Sequence, residues 1–206
     1  MISHYVEIKA TVFDEDVHFV VNKVYNRLHG CIASLNLNIG LSFPKMTEVS
    51  PGDLIRCFGV ESDLNSLKDN AGIEHLRSKG MVILSEIKIV PDTATPVAYV
   101  RDRQVEKVTS HRIRRKINRC NKRMLIQSQQ RLDDETVQQI KVQLRQKQSS
   151  QKRAYFLVER QGDKFPIYIK KQFVLGSEEG RTRIFNSYGL GNSRTTAGAI
   201  STVYDF

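Results

Sequence analysis

Residues 4–90 change between two apolar periodicities in an order that only a few folds accommodate. Alternate apolar positions predict strands, and apolar positions three and four residues apart predict helices. The first helix is predicted to stop at Gly30. The predicted order is strand, helix, strand, strand, helix and strand, over residues 4–12, 14–28, 32–43, 53–60, 62–76 and 81–90. This order predicts an α+β fold with an amino-terminal ferredoxin-like (RRM-like) domain, an arrangement that RNA-recognition domains share.

A second domain is predicted after a proline-bounded linker at residues 91–96. We expect the ferredoxin-like domain to comprise residues 1–94 and the carboxy-terminal domain to comprise residues 95–206. The carboxy-terminal domain is predicted to hold a short strand, an arginine-rich helix, a glutamine-rich helix, a β-hairpin and a last strand, over residues 98–107, 110–124, 133–148, 153–174 and 183–190.

The arginine-rich helix carries most of the excess positive charge of the chain. The net charge is +10, and residues 101–123 hold ten basic and two acidic residues, a net of +8. On a helical wheel, Ile113, Ile117, Cys120 and Met124 share one arc. A neighbouring arc of roughly 120° holds the basic residues Arg112, Arg115, Lys116, Arg119, Lys122 and Arg123.

A basic row beside an apolar face favours contact with the phosphates of a structured nucleic acid. The alternatives are a solvated basic face and a helix that lies on a membrane surface, although the apolar arc lacks the bulky aromatic residues that membrane insertion favours. The pattern alone does not distinguish RNA from DNA.

Other functional classes find little support in the sequence. Cys31, Cys57 and Cys120 are far apart and form no zinc motif or disulfide framework. There is no phosphate loop or nucleophile elbow, and no run of about 18 apolar residues. We therefore expect a cytoplasmic protein with no membrane association, no cofactor and no metal.

His29 is the histidine that most suggests chemistry. It lies at the predicted helix end with Leu28 and Gly30, and shares helical spacing with His18 and Tyr25. The helix macrodipole favours a charged imidazolium at such a position. A histidine that only caps the helix is the alternative interpretation.

Several short segments occur together in an order typical of one family. They include the Leu-His helix end and a terminal Tyr-Gly-Leu sequence. The segments are Ser3-His4-Tyr5-Val6-Glu7-Ile8, Arg27-Leu28-His29, Ile39-Gly40-Leu41-Ser42-Phe43-Pro44, the arginine-rich helix, the hairpin at 162–169 and Ser187-Tyr188-Gly189-Leu190. Together they resemble the CRISPR repeat-processing endoribonuclease of the subtype I-F system, over nearly the whole chain.

The resemblance implies cleavage without metal at the 3′ base of an RNA stem-loop. The 2′-hydroxyl attacks the adjacent phosphate, with His29 as general base. Tyr188 would orient His29, although a plain strand aromatic explains Tyr188 equally well. The residues that read a guanine beside the cleavage site match the neighbourhood of Arg103 and Gln104, although the Arg-x-Gln spacing of the family is not reproduced and Glu106 is a rival for the second position. The arginine-rich helix would enter the groove of the repeat hairpin.

The chain departs from the family in several further features. The family has a serine before the hairpin glycine that positions the attacking hydroxyl, whereas residues 156–162 contain none. Cleavage is therefore expected to be slow or to use another group. The long glutamine-rich helix and the extension after Leu190 resemble variants that work inside transposon-encoded CRISPR complexes.

The first functional hypothesis is an endoribonuclease that stays bound to its product as a subunit of the effector complex. Its expected partners are the CRISPR RNA repeat hairpin, other effector subunits including the backbone subunit, and a transposition protein. The second hypothesis is a non-catalytic subunit that binds the hairpin. A DNA-binding regulator that uses the basic helix is the third.

Overall fold

A computed structural model describes residues 3–11, 16–103, 105, 110–149, 153–160, 162–174, 184–191 and 201–206, and its side chains at 110–112, 144–149 and 160 are not described. The chain forms two compact units. One comprises Met1–Arg101 with Ala154–Phe206, and the other comprises Asp102–Arg153. The expectation that residues 1–94 and 95–206 fold as two independent domains stays a prediction.

The first sheet of the larger unit has the strand order β2-β3-β1-β4, with β5 also paired to β1, and every pairing is antiparallel. Its elements in chain order are β1 (His4–Ala10), α1 (Val17–Ser34), β2 (Gly40–Ser42), β3 (Leu54–Gly59), α2 (Glu61–Lys68), α3 (Ala71–Ser78), β4 (Val82–Leu84) and β5 (Lys88–Ile89). The first and third strands are central, as the ferredoxin-like prediction requires. The predicted α+β fold is confirmed.

The second sheet has the order β7-β8-β6-β9, again with antiparallel pairing. Its strands are β6 (Thr95–Arg101), β7 (Tyr155–Arg160), β8 (Asp163–Phe173) and β9 (Val203–Asp205). The predicted hairpin is confirmed as β7 and β8, and Gly162 in its turn has a φ of 85°.

Aromatic side chains pack the second sheet against α1 and the first sheet in one core. Tyr25 of α1 stacks on Phe156 of β7 with ring centres 3.8 Å apart. Phe43, just after β2, meets Tyr99 of β6 edge to face at 5.2 Å. The Tyr99 hydroxyl donates to the Phe43 carbonyl at 3.2 Å, so this buried polar group is satisfied.

The seam between α1 and β7 is joined by two asparagine side chains. Asn22 Oδ1 accepts from the Leu157 amide at 2.9 Å. Asn26 Nδ2 donates to the Leu157 carbonyl at 2.7 Å, and its Oδ1 accepts from the Glu159 amide at 3.1 Å. Because β7 is an edge strand, these amides take the place of a neighbouring strand.

The smaller unit contains α4 (Ser110–Ser128) and α5 (Asp134–Ser149). Asn121 Oδ1 of α4 accepts from the Leu132 amide at 3.0 Å, which fixes the connection between the helices. The Asp102 carboxylate is 4% exposed and pairs with Arg153 Nε at 3.2 Å, so the first and last residues of this unit are bound to each other.

Several predicted boundaries are wrong. Helix α1 does not stop at Gly30 but ends at Ser34, because Leu28, Cys31 and Ile32 continue its buried side. The chain turns after it at Asn36, which has a φ of 51°. The predicted strand at 32–43 therefore shrinks to β2.

The second predicted helix divides into α2 and α3, because the Asn70 side chain accepts from the Gly72 amide and begins a new helix. The described part of the predicted strand at 183–190 is a turn with an isolated bridge. Within the described ranges, no helix is long and apolar enough to cross a membrane.

Candidate active site and basic helix

His29 lies on α1, and its ring is held by a backbone carbonyl. His29 Nδ1 is 2.7 Å from the carbonyl oxygen of Ser187. A carbonyl oxygen can only accept, so Nδ1 must carry the proton and donate. In the neutral ring, Nε2 then has the lone pair and can accept a proton. The imidazole is thus held in the tautomer that a general base needs.

Tyr188 forms the second side of this site. Its ring stacks on the His29 imidazole, with ring centres 4.3 Å apart and planes 12° from parallel. The Arg101 guanidinium carbon is 5.8 Å from the centre of the Tyr188 ring, so a positive charge lies beside the pair. The structure therefore brings the two predicted catalytic residues together, while their roles stay predictions.

The turn that carries Ser187 and Tyr188 is folded by the Asn186 side chain. Asn186 Oδ1 accepts from the Tyr188 amide at 2.9 Å and from the Leu190 amide at 3.3 Å. Gly189 has a φ of 69°, and a Cβ on it would overlap the Leu41 side chain. The turn needs glycine at this point, both for its backbone conformation and for its close approach to β2.

Two hydrogen bonds attach this turn to the core. The Leu41 amide of β2 donates to the Gly189 carbonyl at 2.8 Å. The Tyr25 hydroxyl of α1 donates to the Tyr188 carbonyl at 3.2 Å. Burial raises the pKa of Tyr25 far above its usual range, so this phenol keeps the proton that it donates. The turn is therefore attached to β2 and to α1.

The basic helix α4 presents its charged side chains as the wheel predicts. Ile113 is buried, and Ile117, Cys120 and Met124 are partly buried. The exposed basic residues are Arg114, Arg115, Lys116, Arg119, Lys122 and Arg123. The helix extends four residues beyond the predicted end, to Ser128.

The remaining predicted site residues are less fully placed. Arg103 is exposed in a turn after β6. Gln104 and its rival Glu106 lie outside the described residues, and only the backbone of Arg112 is described. Among the side chains that the structure describes, no three of His, Cys, Asp or Glu form a group that could hold a metal ion. The expected metal independence stays a prediction.

Sequence reasoning misplaced His29 and missed two residues of its site. His29 is five residues before the last residue of α1, so the argument from a helix end was wrong. Ser187 contributes its backbone carbonyl, and because every residue has one, the residue type could not reveal this contact. Asn186 was detectable, because asparagine often bonds to the backbone two residues on.

A ferredoxin-like domain whose helix α1 carries a histidine held as a potential base, together with a helix that exposes six basic side chains, is compatible with an RNA-processing protein. The comparison with protein families agrees. Residues 5–203 match the family described as CRISPR-associated protein (Cas_Csy4). The chain belongs to this family and is a CRISPR-associated RNA-processing protein. A comparison with curated proteins gives no match.

Proposed function

We propose that the chain is a metal-independent, sequence-specific endoribonuclease that cleaves CRISPR repeat RNA at the base of a stem-loop. The observation that carries this proposal is the hydrogen bond between His29 Nδ1 and the Ser187 carbonyl. That bond leaves Nε2 as the ring nitrogen that can take a proton.

The proposed reaction is an internal transfer at one phosphate. The 2′-hydroxyl gives its proton to His29 Nε2 as its oxygen attacks phosphorus. The bond from phosphorus to the 5′-oxygen breaks, and that oxygen takes up a proton. The products are a 2′,3′-cyclic phosphate and a 5′-hydroxyl. Tyr188 supports the imidazole by stacking on it.

Binding is proposed to come mainly from α4. Arg112, Arg115, Lys116, Arg119, Lys122 and Arg123 would contact phosphates along the groove of the hairpin. Arg103 and Gln104 would read a guanine beside the cleavage site. The protein would then remain on the hairpin as a subunit of the effector complex, beside the backbone subunit and, in a transposon-encoded complex, a transposition protein.

A non-catalytic subunit that binds the hairpin is the second candidate. The observation that favours it is the absence of a serine from residues 156–162, most of which form β7. Without that hydroxyl, the attacking 2′-oxygen has one positioning group fewer, and cleavage would be slow or lost.

One experiment separates the two candidates. The purified protein is incubated with its own repeat RNA in EDTA, and the RNA ends are analysed. We expect a cyclic phosphate, and no product from RNA with a 2′-deoxy sugar at the attacking position. His29→Ala should lower the cleavage rate by roughly 10² to 10⁴, with affinity within a few-fold.

His75→Ala is the matched control, since His75 is an exposed histidine on α3 that the proposed mechanism does not use. Wild-type cleavage by His29→Ala, or a requirement for Mg²⁺, would refute the mechanism. Tight binding without any cleavage would support the non-catalytic subunit.

A further inference from the structure

A second histidine–tyrosine pair joins α1 to β7, and the proposed reaction does not use it. The His18 ring centre is 5.1 Å from that of Tyr155 on β7. Tyr155 in turn is 5.7 Å from Tyr168 on β8. All three side chains are partly exposed. We call these three residues the aromatic triplet.

The hydrogen bonds of α1 indicate that the neutral His18 ring carries its proton on the other ring nitrogen from His29. Asn22 Oδ1 accepts from the Leu157 amide, so the other end of that side chain is the NH₂ group. This Nδ2 lies 2.8 Å from His18 Nδ1, which must therefore accept. The neutral His18 ring then carries its proton on Nε2. At Nε2, His29 therefore offers an acceptor, whereas His18 offers a donor.

The two histidines lie on the same side of α1. Eleven residues separate them, which corresponds to a rotation of about 1,100°, or about 20° away from three full turns, and to roughly 16 Å along the helix axis. Between the two histidines, this side of α1 therefore holds two amide side chains, Asn22 and Asn26, that already bond to the β7 backbone.

Two lysine side chains lie on the same face of the second sheet as Tyr168 of the triplet. Lys170 follows Tyr168 by two residues on β8, so both side chains are on the same face of the sheet. Lys164 is on this face too and is exposed, with Glu159 opposite it across the hairpin. Aromatic rings that accept stacked bases, next to lysines that attract phosphates, suit single-stranded RNA.

We propose that the aromatic triplet binds single-stranded RNA that flanks the repeat hairpin. A base stacks on Tyr155 or Tyr168, and a phosphate accepts from His18 Nε2 and attracts Lys170. This inference rests on the proposed function, since it assumes that the scissile phosphate lies at His29. The flank can be on the 5′ or the 3′ side of the stem, and the test distinguishes them.

The test measures affinity for uncleavable RNA with a 2′-deoxy sugar at the attacking position. Three RNAs are compared, the bare hairpin, the hairpin with a 5′ flank and the hairpin with a 3′ flank. We expect one flank to tighten wild-type binding. Tyr155→Ala and His18→Ala should each weaken that gain, with a loss of about 5- to 150-fold expected where one stacked base is lost, and both variants should bind the bare hairpin as the wild type does.

Two controls make the result specific. Phe173→Ala removes an aromatic ring that is 75% exposed at the end of β8, and it should keep the gain. His29→Ala should also keep it, since only binding is measured, so a failure of the catalytic proposal is seen separately. The inference is overturned if neither flank tightens wild-type binding, if Tyr155→Ala and His18→Ala keep the gain, or if these variants weaken binding of the bare hairpin equally.

Discussion

At the scale of single residues, the candidate base is positioned through a side chain to which the proposed reaction gives no step. Asn186 folds the turn that presents the Ser187 carbonyl to His29 and the Tyr188 ring to the imidazole. It uses only its oxygen for this purpose, as an acceptor for two amides. An oxygen acceptor of the same shape should therefore replace it.

Asn186→Ala should lower the cleavage rate by about 10²-fold, because a small displacement of a catalytic group has this effect. Asn186→Asp should restore most of the rate, since aspartate keeps the acceptor oxygen. Affinity for the hairpin should be unchanged in both variants. Nitrogen NMR of the His29 ring should show the Nδ1-protonated tautomer in the wild type and in Asn186→Asp. Equal rates for the two variants would mean that the turn does not position His29.

The two catalytic candidates could be selected from the sequence, but their geometry could not. The Leu-His and Tyr-Gly-Leu segments identified His29 and Tyr188 through a family resemblance. The bond to Ser187 joins residues 158 positions apart through a backbone atom. Such a bond leaves no mark on residue identity, because any residue has a carbonyl.

At the scale of elements, α4 was predictable because its pattern is strong over four turns. The wheel separated the apolar arc from the basic arc, and the described side chains follow this division. Arg114 is also exposed, on the far side of the wheel from the basic arc. It therefore provides a matched control for the face that we propose to contact RNA.

Arg115→Ala and Arg119→Ala should each weaken hairpin binding and lower the slope of log affinity against log salt by about one unit. Arg114→Ala should change the slope less. Binding titrations at several salt concentrations measure the effect. An unchanged slope in both Arg115→Ala and Arg119→Ala would remove this face of α4 from the interface, and equal losses for Arg114→Ala and Arg115→Ala would show that the face is wrongly assigned.

The end of α1 was not predictable from local signals. A glycine after a leucine–histidine pair is typical of a helix end. However, a Cβ on Gly30 would meet nothing within 4 Å, and the residue is simply tolerated within the helix. Burial of Cys31 and Ile32 in the core outweighs the local cost of glycine, which is about 1 kcal/mol relative to alanine.

At the scale of the whole molecule, the first sheet could be predicted because its order of elements has few solutions. Strand β9 could not be predicted, because it has only three residues and these give no periodic signal. They pair with residues of β6 more than 100 positions earlier in the chain. The strands of the second sheet pack in one core with the first sheet. Whether residues 1–94 and 95–206 fold as independent domains stays a prediction.

The chain leaves the larger unit after Arg101 and re-enters it at Ala154. Both points are beside Ile169, which pairs with Arg101 and donates its amide to the Ala154 carbonyl at 2.9 Å. A short loop could therefore replace residues 102–153.

We expect the chain with this replacement to fold cooperatively by circular dichroism and thermal unfolding, because its core is retained. It should lose most hairpin affinity, because α4 is removed. The full-length chain is the control. Failure to fold would show that the larger unit depends on the insertion, and undiminished binding would place the RNA elsewhere.

The asparagine bonds between α1 and β7 also bear on how the protein behaves at high concentration. Strand β7 begins Tyr-Phe-Leu-Val, a run of residues that readily form intermolecular sheets, and it lies at the edge of its own sheet. Asn22 and Asn26 occupy the Leu157 amide, the Leu157 carbonyl and the Glu159 amide, which a strand from another molecule would otherwise use. The helix thereby protects the folded protein from edge-to-edge aggregation.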